Sequence, residues 1–248
     1  MNKLIISAPF GNYIRHPLAT STLGTFTLAY RGGFWYRVWR CLRTLRYYRR
    51  LGGWVNKLGL PNPGIHAMTD ECSDNIVSIH GFDRSEWVYL ADVVSRRRPL
   101  AVELNLSCPN VAHSPAVADV ARAVQILYED GVPIIAKLPP VRWLDWARPL
   151  HDLGVRTFHC CNTIPTPGGG LSGKTLQQYS LWAVDDMRRT FGHSVQLIGG
   201  GGVSEPADVV RFLEAGADHV AVGSALLRLT GKRRLLDRLV AAFTRKET

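Results

Sequence analysis

The chain has 248 residues, 46% of them hydrophobic, with 30 Lys and Arg against 20 Asp and Glu for a formal net charge of +10. That length supplies a sizeable core without disulfides, and five cysteines with no C-x-x-C pair fit neither a secreted disulfide framework nor a structural zinc site. No apolar run approaches the roughly 18 residues of a membrane span.

The charge is concentrated at the front. Residues 1 to 69 hold ten basic residues and no acid, while the remainder balances 20 basic against 20 acidic. Such asymmetry suits nucleic acid, anionic lipid or an anionic ligand. The first strand is expected at Lys3–Ser7, since its apolar stretch is too short for a secretory signal. Residues 8–24 are too short and too rich in Gly, Pro and Thr for an ordinary helical layer, and a second strand is expected at Thr25–Ala29. Next, Phe34, Trp35, Val38, Trp39, Leu42 and Leu45 recur at helical spacing with Arg37, Arg40, Arg43, Arg46 and Arg49 between them. The spacing predicts a basic amphipathic helix over Phe34–Leu51. It is either a barrel-packing helix with Arg stems along its apolar edge, or a surface for peripheral contact with anionic lipid or for a homodimer.

Further strands are expected at Ile76–His80, Ala101–Leu106, Pro133–Leu138, Arg156–Cys161, Val195–Ile198 and His219–Gly223. Amphipathic helices fall between and after them, at Ser85–Arg97, Ala116–Glu129, Trp143–Leu153, Leu176–Thr190, Glu205–Ala215 and Ala225–Phe243, several closing on Gly. Eight strands alternating with helices over about 250 residues predict a single α/β domain, 1–248, built as a (β/α)8 TIM barrel with an abbreviated first βα unit. The doubly wound rival would carry G-x-G-x-x-G after its first strand, and none is present.

Polar and small residues gather at one end of these strands, the end where barrel enzymes carry their chemistry. Asn105-Leu106-Ser107-Cys108-Pro109-Asn110 follows the fourth strand, Lys137 lies in the fifth, and Asn162-Thr163 follows the sixth. Gly199–Gly202 closes the seventh, and Gly223-Ser224 leads from the eighth into a final helix, offering amides to a phosphate. A lysine inside an apolar strand needs an anionic or electron-rich partner. The histidines lack ligand spacing, and no metal site is expected.

ELNLSCPN, AKLPP, the NT…GGGLSG stretch, IGGGGV and VGSAL, with NKLGLPNPG at 56–64, resemble the dihydroorotate dehydrogenase family of flavin-dependent (β/α)8 enzymes, over about residues 54 to 229. The resemblance implies an FMN-dependent oxidoreductase acting on CH–CH donors in pyrimidine biosynthesis, cytoplasmic, with a small-molecule substrate and no nucleic acid. It implies Cys108 as the base that removes a proton beside the substrate carbonyl, and Lys137 against the FMN ring. Ser7, Thr25, Asn162, Gly170, Ser172, Gly200, Gly201, Gly202, Gly223 and Ser224 would hold the flavin and its phosphate. Asn56, Leu58, Gly59, Leu60, Asn105, Asn110, Asn162 and Thr163 would surround a flat cyclic amide, whose donors and acceptors side-chain amides match. Cys41, Cys72, Cys160 and Cys161 are read as packing residues.

The chain departs from that family in four places, one being the loop VAHSPA after Asn110, which lacks the family's glycine-rich continuation. Gly24 stands where a lysine is expected before the second-strand threonines, the first unit is abbreviated, and only Thr163–Pro167 separate Asn162 from Gly168. Two other classes therefore stay open: a non-catalytic barrel that keeps the flavin or phosphate cup, and a tRNA dihydrouridine synthase-like enzyme suited to the positive charge. The NLSCPN stretch favours the dihydroorotate reading over both.

Overall fold

The computed structural model describes residues 1–69, 72–107 and 115–244. In chain order it begins with β1 (Leu4–Ile6), a 3-10 turn at Phe10–Asn12, β2 (Ala19–Phe26), α1 (Phe34–Thr44), β3 (Arg46–Tyr48) and β4 (Gly53–Asn56). There follow β5 (Ile76–Ile79), α2 (Arg84–Ser95), β6 (Ala101–Asn105), α3 (Val117–Glu129), β7 (Ile134–Lys137), α4 (Trp143–Asp152) and β8 (Thr157–Cys160). The chain closes with β9 (Ile164–Thr166), β10 (Gly169–Gly173), α5 (Lys174–Phe191), β11 (Gln196–Gly200), α6 (Pro206–Glu214), β12 (His219–Val222) and α7 (Lys232–Thr244). Eight parallel strands close a barrel in the order β1-β12-β11-β8-β7-β6-β5-β2, the (β/α)8 architecture expected from the alternation.

Successive side chains of a strand point to opposite faces, and this separates two apolar layers. Leu4, Ile6, Val77, Ile79, Val102, Leu104, Phe158 and Val220 belong to the large core beneath the helices. Trp87, Leu90, Ala91 and Val94 of α2 pack there, and Asp83 caps that helix by accepting from Glu86 N at 2.9 Å, a contact typically worth about 1 kcal/mol. Ile5, Ile76, Ala101, Ile135, Ile198 and Ala221 form a separate belt inside the barrel. Two residues further along the same strands come Ser78, Glu103 and Lys137, with His159 beside them on β8, all buried. The period of two therefore lays a polar layer on the apolar belt, toward the C-terminal ends of the strands.

The front of the chain differs from the sequence reading. The second barrel strand is Ala19–Phe26, not Thr25–Ala29, because ATSTLGTF pairs with β1 on one side and β5 on the other and is buried throughout. Its threonines and serine hide it from an apolar-run criterion. The first connection holds a 3-10 turn so close to β2 that a Cβ on Gly11 would collide with the Thr22 backbone. Asn12 there imitates a strand, donating to Gly24 O and accepting from Gly24 N, both at 2.9 Å.

Helix α1 stops at Thr44 instead of continuing to Leu51. Leu45 turns extended and Arg46–Tyr48 pair antiparallel with β4, which pairs with β10, itself paired with β9. Nor does α1 pack on the barrel, since none of its residues is buried and Trp35 and Leu42 are 79% and 74% exposed. The four-stranded sheet β3-β4-β10-β9 and α1 wall the mouth into which the polar layer opens. The expected final helix is likewise divided, into a 3-10 turn at Ser224–Leu227 and α7.

Candidate active site

A cleft with two adjoining lobes lies at the C-terminal ends of the barrel strands. The larger, about 280 Å³, is lined by Ser7, His159, Ser172, Gly201, Gly202, Gly223 and Ser224 among others. Gly24, Thr25, Leu60, Pro61 and Asn105 belong to the smaller, about 150 Å³. Arg37, Asn56, Leu58, Lys137, Asn162 and Thr163 face both. Most residues expected around a flavin line the larger lobe, whereas of those expected around a substrate only Leu60 and Asn105 are confined to the smaller and Asn56, Leu58, Asn162 and Thr163 line both.

Some positions fall differently. Thr25, expected at the flavin, lines the smaller lobe, and Gly59, Gly170 and Gly200 line neither. Gly59 instead accepts from the Arg31 guanidinium, and Gly170 pairs with Asn56 across β4 and β10. Gly200 makes room for a neighbour, because a Cβ there would sit 2.9 Å from His159 Nε2. Cys108 and Asn110 lie outside the described residues.

The floor is a charged triad. Glu103 Oε2 meets His159 Nδ1 at 2.7 Å, and Lys137 Nζ stands 3.7 Å from Glu103 Oε1. Burial pushes the Glu103 carboxyl upward, but the Lys137 charge and hydrogen bonds from His159 and Ser78 outweigh it and hold the pKa at about 2. Burial and the neighbouring Lys137 lower the His159 pKa despite its carboxylate partner. A neutral His159 beside an ionised Glu103 carries its proton on Nδ1, which leaves Nε2 as an acceptor.

A second chain of polar contacts joins the strands above this floor. Asn162 Nδ2 donates to Asn105 Oδ1 at 2.8 Å, Asn105 Nδ2 donates to Thr25 Oγ1 at 3.0 Å, and Thr25 Oγ1 meets Ser78 Oγ at 3.0 Å. Each of the two amides keeps a further N–H for a ligand, as a side-chain NH2 has two. Asn62, which sequence reasoning passed over, pins the loop carrying Leu58 and Leu60. Buried, it accepts from Thr27 N and Gly64 N and donates to Leu60 O at 2.8 Å. The N-P-G turn signal was the available clue.

Gly24 has no room for the family's lysine. Its φ is +98°, and a Cβ would lie 2.5 Å from Ser78 O. At the far end of the larger lobe, Gly202 has φ +74° and a Cβ would lie 2.8 Å from Gly173 O, so the backbone itself forms the wall. At Gly223 the nearest atom would be 3.8 Å away, which leaves its surface open beside Ser7 and Ser224. A flat polar ring over Lys137 with an anionic tail among these glycines and hydroxyls fits the donor set, as a flavin would. Cys41 and Cys161 line the larger lobe, and burial raises both thiols. Burial pushes the Cys161 thiol up to about 12 and the Cys160 thiol well above its ordinary value.

Comparison with known proteins converges on one family. The family model described as dihydroorotate dehydrogenase matches residues 43–233. The catalytic subunit of dihydroorotate dehydrogenase B (NAD(+)) from Methanocaldococcus jannaschii is 29% identical over 210 residues, 71% of this chain and 67% of that one. The putative dihydroorotate dehydrogenase A (fumarate) of Aeropyrum pernix is 33% identical over 214 residues, 73% and 68% of the two chains. The chain thus spans about two thirds of the length of these curated relatives. A crystal structure of DHODH from Eimeria tenella in complex with ferulenol shares the fold, with a TM-score of 0.77 and 16% identity over 98% of this chain and 82% of that one.

Proposed function

Since this chain belongs to the dihydroorotate dehydrogenase family, we propose that it is an oxidoreductase that binds FMN in the larger lobe and oxidises dihydroorotate, or a closely related dihydropyrimidine, in the smaller. The observation that carries this reading is the seam between the lobes, where Lys137, Asn56, Asn162 and Thr163 line both at once. A bound flavin supplies the hydride acceptor. Lys137, held near Glu103, sets a positive charge against the ring system, and Asn105 and Asn162 orient the cyclic amide through their remaining N–H groups. Cys108, three residues beyond Asn105, takes the proton from the carbon beside the substrate carbonyl. A thiol with an ordinary pKa near 8.5 needs only modest lowering to act near neutral pH.

Purified protein is expected to be yellow, and dihydroorotate added without oxygen is expected to bleach it. Protein that stays colourless after incubation with FMN would instead favour a barrel without this chemistry. Yellow protein that no dihydropyrimidine bleaches would overturn the substrate.

The outer face of α1 and β3 carries a second part of the proposal, contact with an anionic bilayer. Trp35, Trp39 and Leu42 of α1 and one of the exposed tyrosines of β3 are available there, and besides Arg37, which lines the cleft, residues 34–51 hold five arginines and no acid. No helix among the described residues is long and apolar enough to cross a membrane, so the contact would be peripheral, worth about 1 kcal/mol per arginine near the surface. Co-sedimentation with phosphatidylserine vesicles, reversed by salt, is the expected result. A dimer in solution with no vesicle binding would assign the face to a second copy of the chain.

A further inference from the structure

We propose that Arg37 of α1 is the specificity-determining cation of the cleft, anchoring a carboxylate carried by the ring in the smaller lobe. Its side chain lines both lobes, although it comes from a helix outside the eight-strand frame. The guanidinium is already positioned. It donates to the Tyr13 hydroxyl and, at 2.6 Å, to Pro61 O, with its Cζ 5.5 Å from the centre of the Tyr13 ring. Two of its five N–H groups are engaged in this way, and the rest of a planar fork that matches a carboxylate is available.

The charge balance singles Arg37 out. Lys137, the other cation facing both lobes close to the floor, has Glu103 at 3.7 Å to answer it. Arg37 has no carboxylate partner among the described residues, and no acid precedes Asp70 in the sequence. An unanswered, half-buried cation at the rim of a ligand lobe is a recognition element for an anion. Gly24 lines the same lobe and leaves no place from which β2 could present a charge, since any Cβ meets Ser78 O. The positive charge of this lobe that no described carboxylate answers therefore comes from α1, not from β2.

The ring and the carboxylate it carries rest on the proposed dihydroorotate reading, whereas the assignment of Arg37 as the group that holds that carboxylate rests on its place in the cleft. The test titrates the flavin-loaded oxidised protein with orotate and with its neutral methyl ester, following the flavin absorption band. Wild type should prefer orotate, and Arg37→Gln should weaken orotate about 10- to 100-fold while leaving the ester and the flavin content unchanged, the range expected for losing hydrogen bonds to a charged group. Arg37→Lys, which keeps charge but not the fork, should recover only part of the loss. Equal weakening of acid and ester, or none, would overturn the assignment. If neither ring binds wild type, the dihydropyrimidine reading fails, and benzoate then decides Arg37 by itself. Benzoate binding that disappears in Arg37→Gln supports the anion site, and absence of binding refutes it.

Discussion

Lys137→Met is expected to cost about 3–5 kcal/mol of stability, because it leaves the buried Glu103 carboxylate without its counter-ion. Oxidoreductase activity should be lost with it. The pH dependence makes the cause visible. In the wild type the Glu103 pKa is about 2 in the folded protein, below its ordinary 4.5. Its contribution is therefore fully present above pH 4.5 and is lost as pH falls toward 2. Without Lys137 the burial effect on Glu103 loses its main opponent. The carboxyl then rises, and the variant should lose stability as pH climbs through the raised pKa, the opposite slope. His159, freed from the neighbouring charge, should take up a proton more readily and soften the loss on the acid side of its ordinary 6.5. Urea denaturation at several pH values between about 2 and 8 measures both slopes, that of the wild type below its ordinary 4.5 and that of the variant above it. Glu103→Gln placed on Lys137→Met should restore much of the stability, since the uncompensated charge is gone. Strictly additive losses in the double variant would show that the two side chains do not act as a pair.

Cys108→Ala should lower kcat by about 10²- to 10⁴-fold, the usual contribution of a positioned acid–base group, while the protein stays yellow and melts at the wild-type temperature. Wild-type kcat should rise with pH through the thiol pKa, and the residual activity of the variant should lack that limb. Cys108→Ser should fall close to the alanine variant, because a hydroxyl is a far weaker base. Turnover within a few-fold of wild type would remove Cys108 from the mechanism. None of Cys41, Cys160 and Cys161 is a natural substitute, as burial pushes all three thiols up.

The eight-strand frame was legible because most of its strands are short runs of Val, Ile and Ala bounded by Gly or Pro, and because the helices between them show a clear apolar stripe. β2 was displaced because a strand buried by pairing on both sides can be built of threonine and serine. α1 was overextended because Tyr47, Tyr48 and the arginines that end it are compatible with a helix. Only pairing with β4, and through it with β10 more than 100 residues away, pulls Arg46–Tyr48 into a sheet. Gly24 was legible as a missing lysine, but which arginine of the basic segment lines the cleft was not. Arg37 was one of several arginines at similar spacing, and nothing local marks it as the one that reaches the cleft.

Sequence alone therefore determined the barrel, the end at which its chemistry gathers and the family to which it belongs, since all three rest on local periodicity and on motifs at fixed offsets from strand ends. It also located the excess charge in the first quarter of the chain. The tertiary structure decided which charges answer each other. Glu103, Lys137 and His159 lie on three neighbouring strands, and Gly24 faces the lobe that Arg37 enters from outside the barrel. Such meetings depend on strand register and on the path of the connecting chain. Electrostatic energy depends on distance in space, and a linear sequence does not contain that distance.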